Sequence, residues 1–64
     1  MSQIDRLITE PNLAKHDEFY AQLLGAHDGM SDEDSQAFNA RLILILANHI
    51  GNSEVLRQAL KAAK

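Results

Sequence analysis

Three stretches of the chain repeat apolar side chains at helical spacing, and Pro, Gly, Ser and Asn punctuate the gaps between them. The first covers 17–28. On a helical wheel Phe19, Tyr20, Leu23, Leu24, Ala26 and His27 share an arc of about 160°, and Gly29 follows as a stop signal. The second covers 31–50. Ser31 stands where an N-cap belongs, Asp32, Glu33 and Asp34 complement the dipole of the first turn, and Gly51 closes the far end. The third covers 53–63, with Asn52 or Ser53 as its cap. Val55, Leu56, Ala59, Leu60 and Ala63 form one face, and Arg57, Gln58, Lys61 and Lys64 lie opposite. Ahead of these helices is an N-terminal segment, 1–16. Within it Ser2-Gln3-Ile4-Asp5 has the form of a capping box, which predicts a short helical turn over 4–8 ended by Pro11 and Asn12.

The pattern therefore predicts one all-α domain over 1–64, a helical hairpin plus a third helix, with the central helix much the longest. That helix is the physical oddity. Its run Leu42-Ile43-Leu44-Ile45-Leu46-Ala47 contains no polar residue. Asp34, Arg41 and Asn48 leave only a narrow polar stripe, with Asn39 alone on the other edge. A helix apolar nearly all round is buried nearly all round. The two flanking helices are about 16 Å long at 1.5 Å per residue, and each has one apolar face to offer. The expected core is Phe19, Leu23, Phe38, Leu42, Ile45, Leu46, Leu56 and Leu60. What remains on the central helix predicts an interface with another protein chain, through Ile43, Leu44, Ala47 and Ile50 with Arg41 and Asn48 setting register at its edge. The partner would be a second copy or a different protein, and a compact three-helix monomer is the alternative.

Composition agrees with helix, since nine Ala and nine Leu stand against one Val, one Thr and one Pro. It also sharpens the burial problem. A folded chain of this mass exposes roughly 4,100 Å² and buries only about 60% of its unfolded surface. There are no cysteines, so disulfides, thiolate metal sites and thiol nucleophiles are excluded. Small domains without such staples often draw burial from association. The net charge of −3 divides unevenly, −6 over residues 1–34 and +3 over residues 35–64. Helix-dipole matching accounts for much of that division. The opening residues lack the basic and apolar regions of a signal peptide, and no apolar stretch reaches the 18 or so residues of a membrane span. The expectation is a soluble cytoplasmic protein with no membrane partner.

Chemistry is sparsely signalled. His27 and His49 are the candidate functional histidines, but an antiparallel hairpin sets them on the order of 20 Å apart along the central helix. One chain cannot bring both to one ion, so no metal or cofactor is expected; a site shared between two chains is the variant that survives. His16 has no ligand-type partner one turn on. Ser2, Ser31 and Ser53 occupy capping positions, and no glycine-rich phosphate loop is present. No catalytic residue is assigned and no enzyme activity is expected. A helix-turn-helix DNA-binding regulator is the alternative function, because Ala47 and Gly51 have the spacing of a tight helix–helix turn that would present Arg57, Gln58 and Lys61 to a groove. The acidic balance and the four basic residues of the second half argue against nucleic acid as the partner.

The stretch Met30-Ser31-Asp32-Glu33-Asp34-Ser35, followed by Asn39-Ala40-Arg41-Leu42-Ile43-Leu44-Ile45-Leu46-Ala47-Asn48-His49-Ile50-Gly51, resembles a bacterial domain-of-unknown-function family of very short proteins. Pro11-Asn12-Leu13, Phe19-Tyr20, His27 and Val55-Leu56 extend the resemblance over roughly residues 8–60; Asn52 departs from it, where the family has Asp. The resemblance implies no established activity. Members of that family are often encoded beside FAD-dependent hydroxylases of aromatic-compound breakdown, which implies an accessory subunit or regulator of a flavin-dependent aromatic hydroxylase.

Overall fold

The computed structural model describes residues 5–64. Three helices and no strands are present among them: α1 (His16–Ala26), α2 (Asp32–Ile50) and α3 (Ser53–Ala62). Local chemistry explains most of their ends. Ser31 caps α2 in an extended conformation, its hydroxyl accepting the Asp34 N–H at 3.1 Å. Gly51 ends α2 in the left-handed region at φ 71°, its N–H still reaching the Ala47 carbonyl at 2.9 Å. A Cβ built there would meet nothing closer than the Asn48 carbonyl oxygen at 3.7 Å, so the requirement for glycine is conformational rather than steric. Asn52 then opens α3 at once, its side-chain oxygen accepting from the N–H groups of Glu54 and Val55.

α1 differs from the pattern-based reading of 17–28 at both ends. It starts one residue early, behind Lys15, whose backbone is left-handed at φ 57° and whose side chain makes no capping hydrogen bond. The Lys15 carbonyl instead accepts from Glu18 and Phe19, while Asp17 and Glu18 favour the positive end of the dipole. α1 ends at Ala26 because the N–H groups of His27 and Asp28 turn back to the carbonyls of Leu24 and Gly25, tightening the chain into the turn that Gly29 completes at φ 78°.

The expected helical turn over 4–8 is corrected. Its capping residues Ser2, Gln3 and Ile4 lie outside the described residues; Asp5 to Ile8 do not form helix. Their backbone groups are satisfied elsewhere. The Leu7 N–H donates to Gln58 Oε1 at 2.9 Å, and Gln58 Nε2 donates to the Asp5 carbonyl at 2.9 Å. Asn52 Nδ2 also donates to Asp5 Oδ1 at 2.6 Å. The segment thus runs as a non-helical strap pinned to the Asn52 cap and to Gln58 in the middle of α3.

The helices splay. The radius of gyration is 13.9 Å, against about 11 Å for a compact chain of this length. The accessible surface is 5842 Å², well above the roughly 4,100 Å² expected of a closed fold this size. Among the described residues none is buried. The expected core is therefore corrected for the single chain: Leu23, Phe38, Leu42 and Leu56 are half-buried, whereas Phe19, Ile45, Leu46 and Leu60 are exposed. The physical reason is layer count. The helices meet mainly at their ends, α1 with α2 around His27, Ser35 and Phe38, so neither flanking helix lies along a rod that is apolar over most of its circumference.

Candidate functional site

Two features of the fold bring side chains together. The first lies at the α1–α2 turn. His27 Nδ1 and Ser35 Oγ share a hydrogen bond of 2.9 Å, and the His27 ring meets Phe38 edge-on with centroids 4.9 Å apart. This arrangement ties the end of α1 to the first two turns of α2. Ser35 is the residue that pattern reading passed over. Its signal is an eight-residue offset from His27 across a glycine turn, which brings the end of one helix beside the start of the next. His49 sits at the other end of α2, exposed to solvent, so the two candidate histidines stay apart within one chain. Among the described residues no cluster of three or more His, Asp or Glu could hold a metal ion.

The second feature is larger. α3 follows α2 after only Gly51 and Asn52, and apolar side chains of the two helices line one open groove. Ile43, Leu46 and Ile50 line one wall, Leu56 and Leu60 the other, and small alanines lie between them. The groove has a volume of about 470 Å³ and almost no polar atom in its lining. Its walls are open to water: Ile43 is 63% exposed, Ile50 50% and Leu60 71%. Around the rod from the groove, Leu44 is 70% exposed and Ile45 65%. Of the expected interface, Arg41, Ile43, Leu44, Asn48 and Ile50 are exposed and Ala47 is half-buried. The geometry thus gathers Ile43, Ala47 and Ile50 at the groove and leaves Leu44 outside its lining.

Charged groups lie outside the groove. Arg57 makes a two-pronged contact with Glu54, Nε to Oε1 at 3.1 Å and Nη2 to Oε2 at 2.7 Å, and Gln58 Nε2 donates to the same carboxylate. These hydrogen bonds, Arg57's first and Gln58's next, pull the Glu54 carboxyl down to about 2, and the carboxylate in turn raises the Arg57 guanidinium. Two of the three side chains that a DNA-reading α3 would present are therefore engaged within the chain, Arg57 by Glu54 and Gln58 by the strap. No helix among the described residues is long and apolar enough to cross a membrane.

Residues 7–64 match the model of a family described as a protein of unknown function, DUF2783. Neither a curated protein nor a solved structure matches the chain.

Proposed function

The chain belongs to the DUF2783 family of proteins of unknown function, and from its geometry we propose that it is a non-catalytic helical interaction module that works by docking to another protein. The observation that carries this reading is the exposure of a continuous aliphatic surface on α2, from Ile43 to Leu46 and on to Ile50. Isolated exposed aliphatics are ordinary, but contiguous apolar patches of this kind mark interaction surfaces. A helix laid against a partner's groove is a standard way to use such a surface. Leu44 is the anchor, with Arg41 and Asn48 beside it to fix register by hydrogen bonding at the rim.

The proposed partner is a flavin-dependent aromatic hydroxylase, with this chain as its accessory subunit or regulator. That choice rests on the resemblance of the Asn39–Gly51 block, and the aliphatic surface suits it. A purified flavin-dependent aromatic hydroxylase is the direct probe. Immobilised chain is expected to retain the enzyme, and Leu44→Asp to abolish retention while leaving helicity intact. Failure of the wild-type chain to retain the enzyme sinks the accessory reading. The DNA-binding alternative draws less support, because Arg57 and Gln58 are held by other residues of the chain.

A further inference from the structure

We propose that the groove side of α2 is closed by a second copy of this chain, in an antiparallel, two-fold related pair. The inference rests on the docking reading in taking α2 as an interface; it assigns the Ile43–Ile50 part of that aliphatic surface to a second copy and leaves the part around Leu44 to the other protein.

Spacing along α2 is the first argument. Ala40, Ile43, Ala47 and Ile50 are separated by three, four and three residues, the spacing of a helix–helix seam. Small and large side chains alternate along it. An antiparallel copy in the register that sets Ala40 opposite Ile50 of its partner also sets Ile43 opposite Ala47. Every isoleucine then faces an alanine, which allows close approach of the two backbones with the gaps filled. A parallel copy in register would instead stack alanine on alanine and isoleucine on isoleucine. The surface is complementary to itself in one direction.

Area is the second argument. The chain exposes well over 1,000 Å² more than a closed fold of its mass. A stable protein–protein interface takes about 800 Å² from each partner. Part of that excess lies at the groove, where Ile43, Leu46, Ile50 and Leu60 stand exposed, and a copy's α2 laid along Ile43 and Ile50 also meets Leu56 and Leu60 of α3.

Charge is the third. The first half of the chain carries −6 and the second half +3. In the antiparallel register the first-turn acids Asp32, Glu33 and Asp34 of each copy lie past the end of the other's α2, towards Arg57 and Lys61 of its α3. Antiparallel pairing also opposes the two helix dipoles. Arg41 and Asn48 stay on the outside of such a pair and Leu44 stands at its edge, in reach of a further protein.

Sedimentation equilibrium of the purified chain, with an exchange of side-chain sizes across the seam, tests this. The wild type is expected at twice the 7.1 kDa chain mass. Ala40→Ile, at an exposed helical site, overfills the seam and weakens the pair by about tenfold or more. Ile50→Ala empties the opposing position and also weakens it. The double variant Ala40→Ile/Ile50→Ala restores association towards the wild-type level, because residue 40 of one copy faces residue 50 of the other. Leu13→Asp, exposed and outside the groove, leaves the mass unchanged. A monomer at every concentration overturns the proposal, as does a dimer whose double variant is no tighter than the weaker single one. A monomeric chain that still retains the hydroxylase overturns the second copy alone and leaves the docking reading standing; a dimer that does not retain it does the reverse.

Discussion

His27 Nδ1 lies 2.9 Å from Ser35 Oγ, and the same imidazole ring stands edge-on to Phe38. One side chain at the end of α1 thus engages two positions on α2, a turn apart. Ser35→Ala removes the hydrogen bond and is expected to destabilise the fold by about 1 kcal/mol. His27→Ala loses both contacts and costs more than Ser35→Ala. Chemical denaturation of the two variants and of the double variant checks this: the double variant should be no less stable than His27→Ala alone, since Ser35 has lost its partner there.

The strap offers an independent test. Gln58 holds both the Leu7 N–H and the Asp5 carbonyl. Gln58→Ala is expected to cost about 1–2 kcal/mol for the two lost backbone partners. Exchange of the Leu7 amide with solvent should accelerate in the variant, while amides in the middle of α2 keep their protection at matched stability.

Lys15 holds a left-handed backbone without glycine's freedom. Lys15→Asn is expected to stabilise by up to about 1 kcal/mol, since asparagine visits this region at lower cost. Lys15→Gly gains less, because glycine loses more backbone entropy on folding. At Gly51 the sign reverses: Gly51→Ala forces a Cβ into the left-handed region and costs about 1–2 kcal/mol. Thermal unfolding of the three variants ranks them.

Acid titration reads the Glu54–Arg57 pair. The folded-state carboxyl lies at about 2, below its ordinary value of 4.5. Its contribution to stability is therefore complete above that ordinary value and is lost as pH falls towards 2. Both side chains are solvent-facing, so the effect is small and salt weakens it. A carbon-detected NMR titration should place the Glu54 midpoint near 2, and Arg57→Ala should move it back up towards 4.5.

The punctuation of the helices was legible because it is local. Ser31, Gly51 and Asn52 act within three or four residues of themselves, and their chemistry admits few other roles. The start of α1 was not, since nothing about lysine announces a positive φ. The strap was misread as helix because its partner, Gln58, lies 51 residues from Leu7 in the chain. The aliphatic surplus of α2 could be read as a need for cover, and Leu44 and Ile43 are indeed open to water. Which of those residues line the groove could not be read, because that depends on where α3 lies after Gly51.

The claim that a second copy covers the α2–α3 groove is tested most directly by the melting temperature of the chain at different concentrations. Association that accompanies folding makes the midpoint depend on mass action. Over a hundredfold rise in concentration, circular dichroism is expected to show the midpoint climbing by several degrees. A midpoint that stays constant across that range would contradict the account.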